Sequence, residues 1–286
     1  MVCFRMIMGT LLCVGLLLNA SSCTDSPLGG DIQPRNLQVG GTVVLSDSFR
    51  AEGVYVWLQD LNLSTRTDEK GHFVITLPPP AAQGQPEGLT GVFNLYYYLA
   101  NYSLGLTKLT VRNGEFVYGV GDIDKNGELA MPKKLEKILD INTVVTPPFI
   151  STDFAGPIQV DIHLQTPPDD SSTVVFPTSM PLSPFGTILL RKRDTGQLFP
   201  FSIEKGDPRK NSFLVGQAGR VLNMPISTVQ GVLPPGEYEV IPHMLIDHEP
   251  LPAGLLDSLG AIREPAEDYL NYPVRRTGGE FEVRQN

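Results

Sequence analysis

The sequence predicts an all-β protein, built as two β-sandwich modules in tandem with short helical insertions. Three observations carry this expectation. Gly 28 and Pro 25 against only 19% charged residues is a mix that suits many short strands joined by turns. Apolar residues recur at every second position in segment after segment, as half-buried strands require. Those segments are closed by Asp, Asn, Gly and Pro, the residues that tight turns need.

The first 22 residues read as a secretory signal peptide. Arg5 supplies the positive start, Met6 to Leu18 the apolar stretch, and Asn19-Ala20-Ser21-Ser22 the small polar end. The apolar stretch falls short of the about 20 residues that a membrane-spanning helix needs. Ala20-Ser21-Ser22-Cys23 resembles the lipobox of bacterial lipoproteins, with Ala20 where Leu is commoner. The resemblance implies acylation of Cys23, which would become the new N-terminus. The competing reading is ordinary secretion with a free thiol at Cys23. Cys3 and Cys13 lie inside the leader, so the mature chain would carry one cysteine and no internal disulfide. Several acyl chains hold a protein to a bilayer far more firmly than one, and residues 23–36, polar with Pro27, Gly29 and Gly30, read as a lipidated N-terminus and flexible linker. Thr24, rather than Asp, resembles the pattern of lipoproteins sent to the outer membrane or cell surface.

The first module is expected over residues 37–118. Leu37 to Leu45, Ala51 to Leu58 and Thr67 to Pro78 each alternate, and Asp68 and Gly71 form a turn between strands. Gly41-Thr42-Val43, Glu52-Gly53-Val54-x-Val56 and Thr67-Asp68-x-x-Gly71-x-Phe73 together resemble the carboxypeptidase regulatory-like domain, a transthyretin/prealbumin-like sandwich. That resemblance implies an accessory module, a spacer or binding unit without catalytic residues. Further strands follow at Val92–Leu99, Lys108–Val111 and Glu115–Val117, the last two joined by Asn113-Gly114. Pro78 to Gly88 reads as an exposed, semi-extended loop.

Residues 119–156 are expected to be a connection: an Asp/Asn-Gly loop, a short helix over Pro132–Asp140 from its apolar spacing, and a break at Thr146-Pro147-Pro148-Phe149. The second module, immunoglobulin-like or related, spans residues 157–286. It opens on the alternation Pro157–Leu164 and continues with strands at Thr173–Phe176, Thr187–Arg191, Leu198–Ile203, Gly236–Val240 and around Phe281 and Val283. Ala253–Tyr272 places Leu255, Leu256, Leu259 and Ile262 at helical spacing.

A formal charge of −9, with no basic clusters beyond Arg191-Lys192-Arg193 and Arg275-Arg276, argues against nucleic acid as a partner. Asp122, Asp124, Asn126 and Glu128, with Gly127, match the first half of an EF-hand-like calcium loop, in which alternating oxygen ligands precede a sharp turn. Lys133 stands where the closing carboxylate belongs, and a solvated turn is the competing reading. Trp57, Tyr96 and Tyr98 offer stacking faces for a glycan, with core packing as the alternative; Tyr97 must point away from Tyr96 and Tyr98. His243, Asp247, His248 and Glu249 fall close together at a spacing that matches no zinc motif. No nucleophile elbow, phosphate loop or dinucleotide fingerprint occurs. The expectation is a non-catalytic envelope lipoprotein, tethered to a bilayer through its acyl chains, that scaffolds or binds an envelope protein or glycan. The alternatives are a calcium-assisted carbohydrate module and, behind it, a hydrolase with dispersed catalytic residues.

Overall fold

The computed structural model describes residues 36–177, 185–204, 211–226, 233–248 and 250–286. Cys23, with the leader and linker around it, lies outside them, as does Glu249. Residues 36–286 form one compact unit that is nearly all β, with no helix among the described residues beyond three short 3-10 turns.

The N-terminal strands are β1 (Gln38–Leu45), β2 (Tyr55–Leu58), β3 (Leu63–Arg66), β4 (His72–Thr76), β5 (Gly91–Tyr98), β6 (Gly105–Arg112), β7 (Glu115–Phe116) and β8 (Lys133–Leu135). They make two sheets, β4-β1-β8 and β3-β2-β5-β6-β7. Val39, Val43, Val56, Phe73, Ile75, Leu95, Tyr97 and Leu109 fill the space between them. The Thr67-Asp68-x-x-Gly71-x-Phe73 element earns its residues individually. Thr67 Oγ1 accepts the Val54 amide at 2.9 Å and donates to the Ala51 carbonyl. Asp68 Oδ1 accepts the amides of Lys70 (2.8 Å) and His72 (2.9 Å). Gly71 sits at φ +81°, where a Cβ would lie 2.3 Å from the Val43 carbonyl oxygen, so only glycine fits. Phe73 then packs edge-on to Tyr97, with ring centroids 5.4 Å apart.

The remaining strands are β9 (Asp140–Thr146), β10 (Phe149–Ser151), β11 (Gln159–Gln165), β12 (Ser172–Val175), β13 (Phe185–Lys192), β14 (Leu198–Glu204), β15 (Ser212–Val215), β16 (Arg220–Asn223), β17 (Gly236–Pro242), β18 (Leu245–Asp247), β19 (Thr277–Gly278) and β20 (Glu280–Arg284). They form the sheets β10-β20-β17-β13-β14, β16-β11-β9-β19 and β15-β12-β18. Their core holds Ile141, Val160, Ile162, Leu189, Tyr238, Val240 and Phe281.

Two expectations are corrected. Pro132–Asp140 is not helical: β8 pairs in parallel with β1, matching Leu45 to Leu135. The helical spacing misleads because its apolar residues serve different cores. Leu135 packs in the N-terminal core, whereas Leu139, with Ile138 beside it, packs in the C-terminal one. Nor is residues 119–156 a linker, since β9 pairs with β11 along its whole length and β10 pairs with β20. The helical spacing in Ala253–Tyr272 yields the 3-10 turns Asp257–Leu259 and Glu267–Asn271, which bury Leu259 and Tyr269.

Candidate functional site

The sheet β3-β2-β5-β6-β7 is covered on both faces where β2 and β5 cross it, and this makes the seam between the two halves. Val56 and Leu58 of β2 and Leu95 and Tyr97 of β5 point into the N-terminal core. The alternate residues Tyr55, Trp57 and Tyr98, with Ala100 beyond, enter the C-terminal core instead. A strand with both faces buried reads as an unbroken apolar run. Tyr55-Val56-Trp57-Leu58 and Tyr96-Tyr97-Tyr98 are such runs, and that continuity is the sequence signal for the seam.

The glycan-stacking expectation is therefore corrected for two of its three rings. Trp57 is 4% exposed and Tyr98 fully buried, so neither presents a face to a sugar. Trp57 stacks on Tyr96 (6.1 Å, 29°) and donates Nε1–H to Asn62 Oδ1 at 3.0 Å. Tyr98 meets His248 and Tyr272 edge-on, at 5.6 and 6.3 Å, and burial pushes its phenol well above the ordinary value. As the alternation requires, Tyr97 turns to the other core.

A buried polar residue pins the seam. Asn101, 1% exposed, donates Nδ2–H to the carbonyls of Leu139 (3.0 Å) and Arg275 (3.2 Å). Its Oδ1 accepts the Arg275 amide at 2.9 Å, and its own carbonyl accepts the Ile138 amide at 3.0 Å. Sequence reasoning passed over Asn101, because a single Asn after a strand looks like a turn residue.

A cleft of about 570 Å³ opens beside the seam. Tyr96, Leu104, Ile138 and Leu251 supply apolar wall, Asp170 and Asp247 supply carboxylates, and His248 lies between. His248 donates Nε2–H to the Ala100 carbonyl, and burial lowers its pKa, which keeps the ring neutral at physiological pH. Of the three aromatic candidates, Tyr96 reaches this cleft. His243 does not join it: that ring is buried, its Nε2 is 3.2 Å from the Ile262 carbonyl, and it packs edge-on to Tyr269 at 4.5 Å. Asp247 and His248 thus line the cleft without His243.

The Asp122–Glu128 loop is a hydrogen-bonded turn. Asp124 Oδ1 accepts the amides of Asn126 (2.8 Å) and Glu128 (2.9 Å), which hold its carboxyl below the ordinary range, and Oδ2 faces Asn126 Nδ2 at 3.2 Å. The Glu128 carboxylate lies against β1, its Oε1 only 2.6 Å from where a Cβ on Gly40 would be. Ile123 and Leu129 bridge across the turn, and the Asp122 carbonyl accepts the Ala130 amide at 2.9 Å. The turn's own amides thus occupy Asp124, one of the four side chains expected to face calcium, and among the described residues no three His, Cys, Asp or Glu side chains gather as a metal site.

Among the described residues no helix is long and apolar enough to cross a membrane. No protein-family profile matches the chain, and no curated protein matches it. Among solved structures it is similar to the Bacillus anthracis TIE protein at 9% identity and a TM-score of 0.23, over 75% of this chain and 31% of that one. The chain thus spans about a third of that neighbour's length.

Proposed function

We propose that this is an exported lipoprotein, tethered through acyl chains on Cys23, whose two sandwiches act as one non-catalytic binding scaffold of the cell envelope. The shared seam carries the scaffold part of the reading. Tyr55, Trp57, Tyr98 and Ala100 leave one core to complete the other, and Asn101 ties Leu139 to Arg275 across it. Continuous burial of this kind resists hinge motion, which suits a spacer or docking platform more than an enzyme that must close on a substrate. The tether rests on the three-zone leader and on Ala20-Ser21-Ser22-Cys23.

Cell fractionation with Cys23→Ser tests the tether. Wild type is expected in the membrane fraction and the variant in the soluble exported fraction; a variant that stays membrane-bound defeats it. A glycan partner is the second reading, favoured by Tyr96 in a cleft with Asp170 and Asp247. Glycan-array binding lost in Tyr96→Ala would support it, and a blank array would leave protein docking as the scaffold's role.

A further inference from the structure

On the same seam, beyond Tyr98, the chain builds a second and smaller cleft of about 230 Å³, separate from the Tyr96 cleft. Four arginines, Arg66, Arg191, Arg275 and Arg276, line it against two carboxylates, Glu52 and Glu239. In a chain of net charge −9 this is a local reversal of sign. We propose that this cleft is a binding site for a small oxyanion, the chemistry shared by a phosphoryl group and a carboxylate.

The pairing of the four cations carries the inference. Arg191 is neutralised by Glu239, the one ion pair that the cleft contains among the described residues. Arg66 donates to the carbonyls of Gly53 (3.1 Å) and Asn271, and its guanidinium lies 5.5 Å from the centre of the Tyr55 ring. Arg275 donates to the carbonyls of Arg50 (2.8 Å) and Glu52. Neutral carbonyls fix the direction of these guanidiniums, and among the described residues neither makes an ion pair. The Arg276 guanidinium meets the buried Tyr269 hydroxyl, another neutral partner, while its Nη1 and Arg275 Nε are shielded from solvent without a hydrogen-bond partner. An oxyanion in the cleft supplies the negative charge that these neutral partners do not. Guanidinium forks match the oxygen spacing of phosphate and carboxylate, so one anion could engage two of these side chains at once.

The fold holds the segment in place before any ligand arrives. Asn101 grips both the amide and the carbonyl of Arg275, the Ala100 amide donates to the Pro273 carbonyl at 2.7 Å, and Thr277 pairs with Asn142 of β9. Such preorganisation spares a ligand the entropy of ordering the arginines. The adjacent pair Arg275-Arg276, a basic cluster in the sequence, thereby acquires a role. The site stands whether or not the protein is tethered.

Inorganic phosphate and acetate, titrated into the full-length protein at constant ionic strength against chloride, test the proposal by calorimetry. Saturable binding of either anion is expected. Phosphate alone points to a phosphorylated ligand, and acetate to an acidic sugar or a peptide carboxylate. Arg276→Gln should weaken binding at least about tenfold, since a hydrogen bond to a charged group contributes about 1.5–3 kcal/mol, while Arg276→Lys should retain part of it. If Arg276→Gln does not fold, the arginine Nε–H resonances of the wild-type protein decide the matter, because bound anion must shift that of Arg275. No saturable binding of either anion, binding unchanged in Arg276→Gln, or unmoved Arg275 resonances would overturn the site.

Discussion

Two turns in the N-terminal sandwich, Asp68–His72 and Asp124–Glu128, have the same architecture and opposite appearances in the sequence. In each, an Asp carboxylate accepts the amides two and four residues on, at 2.8 and 2.9 Å. In each, a glycine follows three residues after the Asp, at φ +81° or +85°. The Asp amide donates to the carbonyl four residues on, at 2.8 Å in both. Each glycine carbonyl then accepts a β1 amide at 2.9 Å, Val43 for Gly71 and Gly40 for Gly127. With β1 central in β4-β1-β8, the same device clamps it on both edges. One turn belongs to a motif suggesting a fold family, the other to half of a calcium motif. The difference teaches that Asp-x-x-Gly-x is first a backbone device, and that alternating oxygens around it become a cation site only when the carboxylates are left free.

The largest expected effect separates the two glycines. A Cβ on Gly71 meets the Val43 carbonyl, part of the backbone, whereas one on Gly127 meets the far end of the Tyr118 side chain at 2.5 Å, which can yield by giving up its hydrogen bond to the Gln38 carbonyl. Gly71→Ala should cost about 3 kcal/mol and Gly127→Ala about 1 kcal/mol, from left-handed strain with and without a backbone clash. Urea denaturation of the two variants measures this, and equal losses would show that Tyr118 is as rigid as the β1 backbone. The next effect is pH-dependent. The amides of His72 and Glu128 hold the Asp68 and Asp124 carboxyls below their ordinary value. A pKa lower in the folded than in the unfolded chain contributes stability that is present above the ordinary carboxylate value and lost as pH falls through the depressed one. Asp68→Asn and Asp124→Asn should therefore each flatten the loss of urea midpoint between neutral pH and about pH 3, by similar amounts. A flattening in one alone would break the equivalence. The smallest effect concerns the cation. Added calcium should leave the melting temperature unchanged, because the Asp124 oxygens already serve amides; a rise that Asp124→Asn abolishes would show that the second turn opens to a metal.

Local chemistry made much of the fold legible. Period-two alternation located β1, β4, β5, β11, β13, β17 and β20, and Asn113-Gly114 marked the β6–β7 hairpin. Lys133–Leu135 and Asp140–Thr146 were not legible, because their pairing with β1 and β11 depends on residues far away in sequence, and helical spacing in Leu135, Ile138 and Leu139 pointed elsewhere. Tyr96 was found as a candidate and reaches a cleft. Trp57 and Tyr98 were found by the same argument and are core, since aromatic strands look alike whether their second face meets water or another sheet.

By itself the sequence determined the all-β class, the turn at Asp68–Gly71 and the acidic character of the chain, because each follows from residue chemistry within a few positions. The leader and Cys23 are likewise readable from the sequence, as the motif that the proposed tether rests on. Tertiary structure alone decided which aromatics are buried, that the two sandwiches share a seam, and that Arg66 and Arg191 come to line one cleft with Arg275-Arg276. Burial and charge compensation are properties of what packs against a residue, and for these arginines the partners lie scattered from Arg50 to Asn271.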